Sequence, residues 1–167
     1  MATTVPHRVS EFFSPYPITN KYPWQAGNSE GLVTQAFLCS DPMVAMAFLS
    51  LNHARYDLET LRVYALGHLV PKHIMLPKSK ITLLFDNDLI GKLWDIKIAC
   101  LIRNKPVKIY FENRHCAFKL NNRSLQLPVD QISLSAFEKA AGIRTGIKTA
   151  KAKGHTTFLQ QLIYDSS

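Results

Sequence analysis

Apolar positions along this chain fall in short runs divided by turn formers, and the spacing inside each run selects its element. Leu32 to Cys39 is a run of strand length that stops at Ser40-Asp41-Pro42. Asp41 before Pro42 is an N-cap followed by proline at the first helical position, and Val44, Phe48 and Leu51 then continue an apolar helix to about Ala54. Leu61 to Leu66 predicts a short strand closed by Gly67. A linker with Pro71 and Pro77 leads to the clearest strand, Ile81 to Phe85. That strand delivers Asp86-Asn87-Asp88 at its C-terminal end. Leu89 to Arg103 follows as an amphipathic helix, with Leu93, Ile96, Ala99, Cys100 and Ile102 on its inward face.

Val107 to Phe111 alternates as a fourth strand. Cys116 to Leu120 and Ser124 to Leu127 predict a hairpin across Asn121-Asn122. Ser133 or Ser135 caps a short helix through Ala141, which Gly142 ends. A last helix spans Thr156 to Ile163. Strand-helix-strand-helix order predicts an α/β fold: an open, mostly parallel sheet flanked by helices on both faces, with a C-terminal hairpin and a basic helical extension. Residues 1–31 read as an irregular arm broken by Pro6, Pro15, Pro17 and Pro23. Its aromatics (Phe12, Phe13, Tyr16, Tyr22 and Trp24) are expected to lie along the domain surface. The chain thus divides into an arm (1–31), an α/β core (32–130) and a basic C-terminal extension (131–167).

Composition narrows the class. At 167 residues, 47% apolar and 19% charged, the chain suits one packed core and neither a disordered protein nor a coiled coil. No apolar run approaches the roughly 18 residues of a membrane span, and the first residues lack a signal-peptide pattern, so the expected location is cytoplasmic with no membrane partner. Three cysteines at wide spacing (Cys39, Cys100, Cys116) signal neither a disulfide framework nor a zinc site. The net charge of +8 is one-sided. Residues 97–155 hold twelve Lys or Arg against three acids, so the remainder of the chain is net −1. That distribution predicts a polyanion-facing surface in the second half.

Two segments carry candidate chemistry. Asp86 and Asp88 leave a buried strand where an open parallel sheet forms its ligand crevice, and carboxylates at this spacing suit Mg²⁺; the alternative is that one of them caps the following helix. Between Gly142 and His155, cations recur every three or four residues among glycines and hydroxyls. Arg144, Lys148, Lys151, Lys153 and His155 are therefore candidate phosphate contacts, without a Walker A spacing. Cys39, at a strand end, reads either as a nucleophile or as a small buried residue.

Phe85-Asp86-Asn87-Asp88-Leu89-Ile90-Gly91, after an apolar strand and opening a helix, resembles the D-x-D-x-x-G motif of toprim domains. These occur in primases, topoisomerases, nucleases and primase-like proteins of mobile elements. Arg62 to Gly67 resembles the second toprim strand, and Leu32 to Ala54 the first strand and helix, so the likeness covers about residues 32–112. The family's first strand normally ends in a glutamate that serves as general acid or base; Cys39 or Ser40 stands there instead. Asp41 comes one or two positions late, and Glu30 precedes the strand. The resemblance therefore implies a degenerate toprim-like domain in which Asp86 and Asp88 are a residual Mg²⁺ site or structural relics.

These features predict a nucleic-acid-binding protein, with DNA favoured, acting in replication, mobilisation or processing. Two alternatives are a Mg²⁺-dependent nuclease or primase-type nucleotidyltransferase with Asp86 and Asp88 as catalytic carboxylates, and a non-catalytic interaction module whose N-terminal arm docks on a protein partner.

Overall fold

Residues 9, 24–27, 31–67, 76 and 79–166 are described by the computed structural model. In chain order their strands are β1 (Trp24–Gly27), β2 (Gln35–Cys39), β3 (Leu61–Ala65), β4 (Lys80–Leu83), β5 (Val107–Glu112), β6 (His115–Leu120), β7 (Arg123–Pro128) and β8 (Lys148–Thr149). The helices are α1 (Pro42–Asn52), α2 (Leu89–Ile102), α3 (Leu134–Ala141) and α4 (Phe158–Asp165). Two units result. The first holds the described residues up to Asn87 and those from Lys148 onward, and the second runs from Asp88 to Ile147.

The first unit is built on a five-stranded mixed sheet in the order β1-β3-β2-β4-β8. β2 pairs in parallel with both β3 and β4, β4 pairs in parallel with β8, and β1 runs antiparallel along β3. Ala36, Phe37, Leu38 and Cys39 are all buried, as a central strand with both faces covered requires, which is why this segment reads as an unbroken apolar run. Register puts Phe37, Cys39, Leu61, Val63 and Ala65 on one face. There they join Ala45, Phe48 and Leu49 of α1 and Phe158 and Leu162 of α4 in a single apolar cluster that also contains Val9. Phe48 meets Phe37 and Phe158 edge-on, with centroids 5.3 and 4.9 Å apart. Each such ring adds roughly 0.5–1.5 kcal/mol per aromatic pair beyond its area.

Caps set the helix starts as the sequence predicts. The Asp41 carboxylate accepts from the Met43 N–H (2.7 Å), with Pro42 as the first helical residue. Thr157 and Gln160 form a reciprocal capping box on α4, which starts and ends two residues later than the expected Thr156 to Ile163.

The second unit pairs a three-stranded antiparallel sheet, β5-β6-β7, with α2 and α3. Asn113 and Asn121 open the two connecting turns at φ +57° and +52°, a left-handed conformation that asparagine tolerates better than most side chains. Phe118 and Phe137, both fully buried, meet at 5.1 Å between sheet and α3. Ser133 caps α3, and Gly142 ends it at φ +66°.

Three expectations are corrected. Val107 to Phe111 is not a fourth strand of the main sheet. The two-residue turn at Asn113-Arg114 can only return the chain antiparallel, so β5 joins the predicted hairpin. The outer parallel place beside β4 is taken by β8, from inside the basic segment. Trp24–Gly27 is a paired edge strand rather than irregular arm; residues 1–8 and 10–23 of that arm lie outside the described residues. α1 and α4 lie against the same face of the first unit's sheet, within that apolar cluster. Among the described residues no helix is long and apolar enough to cross a membrane.

Candidate functional site

The order of the first sheet reverses at β2, so a crevice is expected beyond the C-terminal ends of β2 and β4. The chain's own residues 150–156 bond to the segment that leaves β4 there. Ala150 N–H donates to the Leu83 carbonyl (2.9 Å), the Lys151 ammonium to the carbonyls of Phe85 (3.0 Å) and Asp86 (3.1 Å), Asn87 Nδ2 to Ala152 O (3.2 Å) and Asn87 N–H to Thr156 O (2.7 Å). Lys151 is half-buried in this role. It was expected on a phosphate; it instead holds the loop that leaves β4.

Asp88 opens the second unit as the N-cap of α2, its Oδ1 accepting from the Gly91 N–H at 2.7 Å. Of the two roles open to it, the cap is the one that this geometry fills. Cys39 is fully buried, donates weakly to the Tyr64 carbonyl (3.6 Å), and has its thiol pushed up to about 12 by burial and then by the Asp41 charge. It is a packing residue, not a thiolate nucleophile. The Asp41 carboxylate is committed to α1, and Glu30 lies outside the described residues. Among the described residues no three His, Cys, Asp or Glu side chains gather where they could hold a metal. Lys151 thus brings an ammonium onto the Asp86 backbone carbonyl, and the α2 cap takes one oxygen of the Asp88 carboxylate.

Asp88 separates the two roles experimentally. Asparagine caps as well as aspartate, so Asp88→Asn is expected to leave the thermal midpoint nearly unchanged, while Asp88→Ala lowers stability by about 1 kcal/mol. Calorimetry with and without millimolar Mg²⁺ checks this. A Mg²⁺-dependent rise in midpoint that Asp88→Asn abolishes would restore the metal role.

The remaining predicted contacts are distributed over both units. In the first, Lys148 is exposed on β8. Lys153 is exposed, its backbone N–H donating to Gln161 Oε1 (2.9 Å). His155 is engaged by α4, with Nε2 3.2 Å from Asp165 Oδ1 and its ring stacked on Tyr164 at 5.7 Å.

Arg144 lies in the second unit, where the turn that carries it is rigidly fixed. The Thr145 N–H (2.8 Å) and hydroxyl both donate to Glu138 Oε1, and Arg103 Nε donates to the Thr145 carbonyl (2.5 Å). Thr145 is buried as a result, and Arg144 points to solvent. Beside it lies an open depression of about 580 Å³ lined by Ser135, Glu138, Lys139, Gly142, Ile143 and Arg144. A second of about 310 Å³ adjoins it through Ile143 and is lined by Lys105, Asn121, Asn122 and Arg123. The two adjoin as a groove divided by Ile143 and present four exposed cations, Lys105 and Arg123 in one part and Lys139 and Arg144 in the other, none of them paired with a carboxylate among the described residues. Glu138 is the only acid in the lining, and Thr145 occupies it. Burial, and then the Glu138 charge, push the Cys100 thiol up to about 11.

Lys105, Arg123 and Lys139 were legible only as part of the charge surplus. They come from a helix-strand connection, the start of a strand and a helix end, and no spacing rule joins three such places.

No protein-family model matches the chain, and neither a curated protein nor a solved structure is significantly similar to it.

Proposed function

We propose that the chain is a non-catalytic nucleic-acid-binding protein, with DNA the favoured ligand, on a degenerate toprim-like scaffold serving replication, mobilisation or processing of DNA. The observation that carries the reading is the groove of the second unit. Four exposed cations around two adjoining depressions, whose one lining carboxylate accepts from Thr145, form a surface whose charge calls for a polyanion. The side chains that line it suit phosphate: guanidinium forks, ammonium groups and the Ser135 hydroxyl position a backbone without reading bases. The loop that would hold catalytic carboxylates is engaged structurally by Lys151 and by the α2 cap, which favours binding over phosphoryl transfer.

Fluorescence anisotropy with a labelled oligonucleotide tests the proposal. Four phosphates neutralised correspond to a slope of about −3 to −4 in log affinity against log salt, so affinity should drop roughly a hundredfold between 50 and 200 mM salt. Absence of binding at 50 mM salt, or affinity indifferent to salt, would overturn it.

A further inference from the structure

The outer face of the β5-β6-β7 sheet offers a second feature, on the side opposite its buried residues. Alternation along the strands places Lys108, Tyr110 and Glu112 of β5 on that face. The register brings them opposite Lys119, Ala117 and His115 of β6. Lys108 and Lys119 therefore stand directly across from one another, both exposed and neither paired with an acid among the described residues. Like charges in this arrangement oppose sheet formation, so the pair is a strain on the fold unless an anion lies between them. The one acid on this part of the face, Glu112, accepts from Gln126 Nε2 at 2.9 Å. Between the lysine pair and Glu112, Tyr110 is 49% exposed on an edge strand, opposite the small Ala117. Its ring is left with an open side.

Resting on the nucleic-acid-binding reading above, we infer that this face is a stacking platform for single-stranded nucleic acid: a base lies on the Tyr110 ring while the Lys108–Lys119 pair holds the adjacent phosphate. Single-stranded rather than duplex ligand follows from the chemistry. A tyrosine ring reaches a base only when the base is unstacked from its neighbours, whereas the lysine pair alone would serve either form. Base-aromatic stacking accepts any base, so the platform selects strandedness and not sequence.

The test compares a 20-nucleotide single-stranded oligothymidylate with a duplex of the same length, using the full chain. Tyr110→Ala is expected to weaken the single strand about tenfold, leave the duplex unchanged and keep the salt slope, since no charge is removed. Tyr110→Trp should restore or improve single-strand affinity. Lys108→Ala with Lys119→Ala should weaken the single strand and lower its salt slope by between one and two. Because Tyr110 and both lysines are exposed, folding is verified by a thermal midpoint that Tyr110→Ala leaves unchanged and the double lysine variant does not lower. Wild-type single-strand affinity that Tyr110→Ala leaves intact would overturn this inference while leaving the groove reading standing. Wild-type protein that binds neither oligonucleotide at low salt would overturn both.

Discussion

Gly27→Ala is expected to lower the thermal midpoint by roughly 10 °C, corresponding to about 3 kcal/mol for a chain of this size. Gly27 closes β1 at φ +115°, where L side chains are essentially absent. A Cβ there would collide with the Leu61 carbonyl oxygen and press on the Arg62 Cα. Neither can retreat. Gly27 pairs with Arg62 across β1-β3, and on its other side β3 is locked in parallel register to β2, with Leu61 opposite Gln35. Leu61 is also buried in the main cluster, so moving its backbone would disturb Phe37 and Val63 with it. The alternative to strain is loss of β1 pairing, which would uncover Trp24 and Ala26. The exposed neighbour Gln25 supplies the comparison, because Gln25→Ala in the same strand should shift stability by less than about 0.5 kcal/mol. Equal midpoints for the two variants would mean that β1 does not hold this register.

The residues that were legible in advance share one property: their chemistry is satisfied within a few positions of the chain. Asp41-Pro42, Ser133 with Gly142, and Asn121-Asn122 each cap a helix or turn a hairpin using neighbours, and the structure places them so. β1 and β8 were not legible. Lys148 and Thr149 are both exposed, so a two-residue strand leaves no alternation to read, and its place beside β4 depends on Ala150 and Lys151 reaching Leu83, Phe85 and Asp86 some 65 positions earlier. The same distance hides the true role of Lys151. As one cation among several in a basic stretch it looks like a phosphate contact, and only the fold reveals two carbonyls beneath its ammonium. Asp95 shows the converse. It sits on the face of α2 that the apolar pattern marks as inward, and it is buried with them at 1% exposure. The candidate site divides along the same line. The charge surplus marks the half of the chain that carries this groove, but Lys105, Arg123 and Lys139 come near Arg144 only through tertiary packing.

Reversing the charge of Arg123 and Arg144 together, as Arg123→Glu with Arg144→Glu, is expected to weaken oligonucleotide binding about a hundredfold at 50 mM salt and to lower the salt slope by about two. Both side chains are exposed and neither pairs with an acid among the described residues, so the folded state should persist. The loss of two phosphate contacts is compounded by two carboxylates placed beside Lys105 and Lys139, which would then pair internally instead of facing ligand. Net charge alone would also weaken binding, and a matched control removes that ambiguity. Arg55→Glu with Lys80→Glu changes the total charge by the same amount at exposed positions of the first unit, outside the groove. Long-range attraction is screened within about 10 Å at 0.1 M salt, so the control should cost severalfold at most. A groove variant no weaker than the control would mean that the protein is held by its overall positive field. In that case the four cations around Ile143 form no site at all.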